Sequence, residues 1–114
     1  MENISGQTEL EDFIWNNKDD KVVVIYFGAT WCGPCEKLKT KLTSNEVKQI
    51  MPDLAIGHIE LDSNSELAEL YNVQSIPTQI FIKLNDNNIV EFQRIIGYDW
   101  IKFNMTYQEY KKNC

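Results

Sequence analysis

The sequence predicts an α/β domain built on a central mixed sheet of four to five strands, with helices covering both faces. Three observations carry that expectation. Val22-Val23-Val24-Ile25-Tyr26-Phe27 is a continuous apolar, largely β-branched run, and a strand without polar alternation is one covered on both sides. Helical spacing appears on either side of it, at Leu10, Phe13 and Ile14 and again at Leu38 and Leu42. Two strand-like segments, Thr78–Leu84 and Ile89–Ile96, flank Asp86-Asn87-Asn88, a composition suited to a hairpin turn.

The elements follow in order. A vestigial strand near Ile4 precedes a helix over Glu9–Asn16, which Thr8 and Glu11 would open as a capping box. Asn17-Lys18-Asp19-Asp20 is a polar turn, and the apolar strand over 22–27 comes next. A helix over Cys32–Thr43 accommodates Pro34 in its first turn, where a missing N–H costs nothing. Thr43-Ser44-Asn45 breaks it, and a short helix carrying Val47 and Ile50 runs to Pro52. A strand over Ala55–Leu61 puts Ile56 and His58 on one face, and a short helix over Ser63–Tyr71 has Leu67, Leu70 and Tyr71 at helical spacing. After the hairpin, Gly97 leads to a last helix over Trp100–Lys112, with Ile101, Met105 and Tyr110 among its apolar residues. Helix-linked strands are expected to run parallel and the hairpin antiparallel. The 114 residues suit one domain, 1–114, without repeats.

Composition excludes several classes of function. A net charge of −6 repels phosphates, so non-specific nucleic-acid binding is not expected; the charge reads as solubility. The longest apolar run, Val22 to Ala29, falls well short of the roughly 20 residues a membrane helix needs. The start Met1-Glu2-Asn3-Ile4 has no basic, apolar leader, so a cytoplasmic protein is expected. There is no dinucleotide-binding glycine fingerprint, hence no direct hydride transfer from a nicotinamide. Three cysteines, Cys32, Cys35 and Cys114, do not describe a disulfide-stapled secreted domain.

Two of those cysteines are spaced C-x-x-C at a strand-to-helix junction. A cysteine at a helix N-terminus meets unpaired backbone N–H groups and the positive end of the dipole. Those stabilise a thiolate, the nucleophile of disulfide exchange. Three residues on, the second cysteine faces the same side of the first turn and can close a short disulfide ring. Cys32 would attack a substrate disulfide, and Cys35 would then attack the Cys32 sulfur and release reduced product. Zinc is the weaker alternative, since a structural site normally needs a second ligand pair and only Cys114 and His58 remain. No metal and no bound cofactor are expected.

The segment Val24-Ile25-Tyr26-Phe27-Gly28-Ala29-Thr30-Trp31-Cys32-Gly33-Pro34-Cys35 resembles the active-site segment of thioredoxins. Ile76-Pro77-Thr78 resembles that family's cis-proline loop, and Gly97, after Arg94-Ile95-Ile96, its glycine ahead of the last helix. The likeness runs from about Val22 to Gly97. It implies the thioredoxin fold and a protein-disulfide reductase whose electrons come from a separate, thioredoxin reductase-like donor. It also implies roles. Cys32 would be the exposed nucleophile and Cys35 the buried resolving thiol. Pro77 would be cis, with Ile76 presenting its backbone to a substrate chain and Gly97 lining the same surface. Trp31 would flank the nucleophile as a buried anchor or a substrate contact. Gly33-Pro34 resembles the reducing members, since the strongly oxidising ones usually carry a histidine there.

Three features depart from the family pattern. Tyr26 stands where most thioredoxins have a buried aspartate thought to help deprotonate the resolving cysteine, and His58 aligns with that acid's lysine partner. Tyr26 is a poor base near neutral pH. Either both side chains are simply packed, or they meet behind Cys35 as a neutral pair in place of an ion pair. Thr40 stands where the family usually has a kinking proline, so a straighter helix is expected. Cys114 is unmatched, either an incidental thiol or a route to an intermolecular disulfide in an otherwise monomeric protein.

Two other functions stay open on sequence alone. One is an oxidase or isomerase of the same fold, which a reduction potential would separate. The other is a binding module with incidental thiols, which would survive Cys32→Ser and Cys35→Ser.

Overall fold

A computed structural model describes residues 1–113. Cys114, and the dimerisation route expected of it, lie outside the described residues. The elements are β1 (Glu2–Ile4), α1 (Gly6–Asn17), β2 (Val22–Gly28), α2 (Gly33–Leu42), α3 (Asn45–Ile50), β3 (Leu54–Glu60), a 3-10 turn (Leu61–Ser63), α4 (Ser65–Leu70), β4 (Thr78–Asn85), β5 (Asn88–Ile96) and α5 (Trp100–Lys112). The five strands form one sheet in the order β1-β3-β2-β4-β5. β2 is its middle strand and is buried along its whole length, as its apolar run requires.

Alternation along β2 divides the core. Val22, Val24 and Tyr26 pack with Cys35, Leu38 and Leu42 of α2, Val47 of α3 and Phe103, Tyr107 and Tyr110 of α5. Val23, Ile25 and Phe27 pack on the other face with Leu10, Phe13 and Ile14 of α1 and Leu67 and Ala68 of α4. Thus α2, α3 and α5 cover one face, and α1 and α4 the other. Ile101 and Met105 are exposed, and α5 buries Phe103, Thr106, Tyr107 and Tyr110 in their stead. Leu70 is likewise exposed at the end of α4.

The expectation that helix-linked strands run parallel fails at one place. β1, β3 and β2 are parallel, but β4, reached from β3 through α4, runs antiparallel to β2. The connection from β3 to β4, residues 61–77, does not return along the sheet; the chain re-enters at the end it left, with Thr78 beside Phe27. That delivers Ile76-Pro77 to the C-terminal edge of β2, the edge from which α2 departs.

Helix starts also differ from expectation. α1 begins at Gly6, not Glu9: the Ser5 N–H donates to Glu9 Oε1 at 3.0 Å, and the Gly6 N–H to Asn64 Oδ1 at 3.0 Å. Asn64 also donates to the Glu60 carbonyl at 2.9 Å. It thereby holds the 3-10 turn that absorbs Leu61 and delays α4 to Ser65. α2 runs through Thr40 without interruption. In the hairpin, Asp86 and Asn87 take φ of 52° and 67°, the left-handed pair that two-residue hairpin loops require and these residue types tolerate.

Candidate active site

The site is assembled at the C-terminal edge of β2 and β3. Cys32 is the N-cap of α2, with Gly33 and Pro34 in the first turn. Its Sγ accepts the Cys35 N–H at 3.3 Å, so one of the unpaired donors of the helix start points at the sulfur. Cys32 and Cys35 are joined as a disulfide. Cys35 is fully buried and Cys32 is 8% exposed. Cys32 is therefore more enclosed than the exposed nucleophile expected, because the chain at Ile76 stands beside it: Cys32 Sγ lies 3.9 Å from the Ile76 carbonyl oxygen.

The opposing loop is fixed from two sides. The Ile76–Pro77 peptide bond is cis. The Gly97 N–H donates to the Pro77 carbonyl at 2.7 Å, with Gly97 at φ 90°, where a side chain would be strained. Arg94 reaches from β5 to the carbonyls of Tyr71 and Asn72 at 2.7 and 3.0 Å, its guanidinium held by Glu91. That caps α4 and anchors the start of the 71–77 connection.

Trp31 is exposed, so of its two expected roles the buried anchor does not hold. Its indole N–H donates to Asp62 Oδ2 at 2.9 Å, and the Thr30 N–H to Glu60 Oε1 at 3.2 Å. Asp62 and Glu60 lie about 30 residues downstream, and no local pattern marks them as partners of this loop.

Behind the disulfide, Tyr26 and His58 come together. Tyr26 pairs with His58 across β2 and β3, and their rings stack at 5.0 Å between centroids. The buried Tyr26 hydroxyl donates to the Cys35 carbonyl at 2.8 Å. To do so the ring lies across Gly28: a Cβ there would stand 2.6 Å from the hydroxyl oxygen and 2.8 Å from Cζ. Burial, then the charges of Glu36 and Glu60, push the Tyr26 pKa up to about 12. The phenol is thus a fixed donor near neutral pH. Burial first, then Lys39, lowers the His58 pKa, with Glu60 and Glu36 acting against them. The His58 Nδ1 lies 3.1 Å from Asn3 Oδ1, which as an acceptor puts the ring proton on Nδ1. The pair is stacked and neutral, without a hydrogen bond between its members.

Gln79 is the buried polar residue that sequence reasoning missed. It faces Tyr26 across β2 and β4 and donates from Nε2 to the Gly97 carbonyl at 3.1 Å. Among the described residues, no group of three or more His, Cys, Asp or Glu is placed to hold a metal. No helix among them is long and apolar enough to cross a membrane.

Comparison with known proteins agrees with this arrangement. The family model described as "Thioredoxin" matches residues 5–100. A thioredoxin of Chlamydia pneumoniae is 43% identical over 76 residues, 67% of this chain and 69% of the relative. A thioredoxin of Geodia cydonium is 41% identical over 64 residues, 56% of this chain and 58% of the relative. The X-ray structure of Fasciola hepatica thioredoxin is similar at a TM-score of 0.81 and 30% identity, covering 96% of this chain and 99% of that one.

Proposed function

The chain belongs to the thioredoxin family, and on that premise we propose that it reduces protein disulfides as a single domain, with Cys32 as nucleophile and Cys35 as resolving thiol. The observation that carries this reading is the Cys32–Cys35 disulfide at the start of α2, with Cys32 slightly exposed and Cys35 fully buried.

In the reduced protein, the Cys35 N–H and the start of α2 favour the Cys32 thiolate over the thiol. The thiolate attacks one sulfur of a substrate disulfide. A mixed disulfide forms, and the second substrate sulfur leaves and takes a proton. Cys35 then loses its proton and attacks Cys32 Sγ, and the remaining substrate sulfur leaves with the bonding pair. The substrate gains two electrons and two protons, and this protein is left as the disulfide. A separate reductase restores the dithiol, so the pair itself is the redox group and no bound cofactor is needed. Trp31, Ile76, Pro77 and Gly97 form the docking edge. An extended substrate chain would run beside the Ile76 backbone, next to Cys32 Sγ. Tyr26 and His58 position Cys35 rather than take its proton, since Tyr26 stays protonated near neutral pH. A monomer acting in the cytoplasm fits this chemistry, because that compartment keeps thiols reduced.

The test is insulin-disulfide reduction, driven by dithiothreitol and separately by a nicotinamide cofactor with a thioredoxin reductase. Activity in both is expected. Activity with dithiothreitol alone leaves the exchange chemistry intact and refutes the reductase donor. Cys35→Ser should accumulate the mixed disulfide on Cys32. If instead Tyr26→Asp leaves the rate of mixed-disulfide release unchanged, the Tyr26 site does not limit resolution.

A further inference from the structure

Gln79 has no exposed surface, yet it carries one amide into the apolar face that packs under the disulfide. It lies opposite Tyr26 on one side and Ile95 on the other, both members of the core cluster that contains Cys35. Directly opposed residues of an antiparallel pair point to the same face, so Gln79 shares this face with Cys35. Its Nε2 is committed to the Gly97 carbonyl, an acceptor that fixes the amide orientation. Gly97 in turn bonds to Pro77. The other end, Oε1, is the one fully buried side-chain polar atom without a hydrogen-bond partner among the described residues.

An unpartnered buried acceptor is costly, and in the oxidised protein the disulfide offers it no proton. Reduction changes that. A dithiol donor passes two electrons to the Cys32–Cys35 bond and becomes a disulfide; of its two protons one ends on Cys35, and the other goes to solvent where Cys32 stands as the thiolate. Cys35 then carries an S–H inside the same enclosed face. The Tyr26 hydroxyl donates its proton to the Cys35 carbonyl, and its oxygen is the competing acceptor, whereas Gln79 Oε1 is the one that the oxidised protein leaves without any partner.

We propose that Gln79 is a positioning residue for the resolving step, its Oε1 accepting the hydrogen bond of the Cys35 thiol in the reduced protein. This rests on Cys35 as the resolving thiol. It makes Gln79 a redox-linked group: the oxidised state leaves the acceptor bare, and the reduced state satisfies it. That difference favours the dithiol. The Gly97 hydrogen bond is common to both states and cancels in the redox equilibrium. A merely structural role for Gln79 therefore does not move the potential.

The experiment is the dithiol–disulfide equilibrium of the full chain against a glutathione buffer, for wild type, Gln79→Leu and Gln79→Met. The infrared S–H stretch is read alongside, in a Cys32→Ser, Cys114→Ser background where Cys35 is the sole thiol. Each Gln79 variant should favour the disulfide about tenfold more than wild type, a potential ~30 mV more reducing. The Cys35 S–H band should sit lower with Gln79 present than with Gln79→Met, as for a hydrogen-bonded thiol. Either readout unchanged overturns the proposal. So does a shift in Tyr26→Phe that Gln79→Leu lacks, which would assign the acceptor to Tyr26. Failure of the underlying reading shows elsewhere, as a Cys35→Ser variant that traps no mixed disulfide.

Discussion

Gly28→Ala tests whether Tyr26 holds the site from behind. The added methyl would stand 2.6 Å from the Tyr26 hydroxyl oxygen and 2.8 Å from Cζ, well inside van der Waals contact. Neither partner has room: Tyr26 is stacked on His58 and bonded to the Cys35 carbonyl. Overpacking of this kind costs about 1–3 kcal/mol. Displacing the hydroxyl from its acceptor adds about 0.5–1.5 kcal/mol. A loss of roughly 2–4 kcal/mol is therefore expected in the wild-type background. Tyr26→Leu removes the clashing atoms. In that background the methyl enters space the ring has vacated, and Gly28→Ala should cost nothing or stabilise by about 0.4–1 kcal/mol through the unfolded chain. The assay is urea unfolding of the oxidised wild type, both single variants and the double, with equal m-values as the check on two-state behaviour. A coupling of about 2 kcal/mol or more is expected, far above the ~0.3–0.5 kcal/mol at which independent sites add. If the cost of Gly28→Ala is the same in both backgrounds within ~0.5 kcal/mol, the reasoning is wrong, and Gly28 is required for something other than the tyrosine.

Four further outcomes are expected. Arg94→Lys keeps the charge but loses the fork that holds Glu91 and the carbonyls of Tyr71 and Asn72; hydrogen exchange should rise over residues 71–77 and not in β2. The lowered His58 pKa means that the folded state binds its proton less readily than the unfolded chain, so the stability contributed is present above about pH 6.5 and is lost as pH falls through the folded value; unfolding of His58→Gln should be flatter between pH 7.5 and 5 than that of wild type. Burial works against the Asp53 carboxylate, but hydrogen bonds from Lys111 and Tyr107 overcome it and hold its pKa below the usual value of 3.8; the gain is complete above that value and is lost as pH falls through the folded pKa, so Asp53→Asn should narrow the stability difference between about pH 5 and pH 2. With Tyr26 protonated to about pH 12, resolution of the mixed disulfide should show no buried-acid inflection near pH 4–6 in stopped flow. Such an inflection in wild type would mean that a carboxyl elsewhere takes the Cys35 proton.

Much of this molecule is legible in order along the chain. The unbroken run 22–27, the C-x-x-C pair at its exit, the Asp86-Asn87 turn and the last helix each follow from local chemistry, and each stands where that chemistry puts it. What could not be read is set by residues far apart. Two capping pairs compete at the first helix, Ser5 with Glu9 and Thr8 with Glu11. Asn64, just past the 3-10 turn that follows β3, decides between them by taking the Gly6 N–H. The direction of β4 is set by where the 61–77 connection re-enters the sheet, and no pattern in β4 itself marks it. Asp62 and Glu60 hold the Trp31 loop across about 30 residues. Gln79 reads in the sequence as the polar position of an alternating strand, and only the sheet order, with β5 beyond it and α5 above, turns it inward.

These two kinds of legibility coincide with the two halves of the chemistry. Attack needs a cysteine at a helix start, and the residues that supply it are contiguous: Cys32 as N-cap, Gly33-Pro34 in the first turn, the Cys35 N–H on the sulfur. Resolution needs a thiol held, and freed of its proton, inside the core. The groups around Cys35 come from β2, β3 and β4: Tyr26 at its carbonyl, His58 stacked behind, Gln79 on the same face. A substitution in that second set cannot stand alone. An aspartate at position 26 would leave space over Gly28 and no donor for the Cys35 carbonyl. The tyrosine fills the space, and so it needs a glycine two residues on. Tyr26, Gly28 and His58 therefore form one packing unit. On the proposed reading, the departure at Tyr26 would be a rebuilt second step, in which hydrogen bonding to fixed dipoles replaces the buried charge that the family resemblance implies.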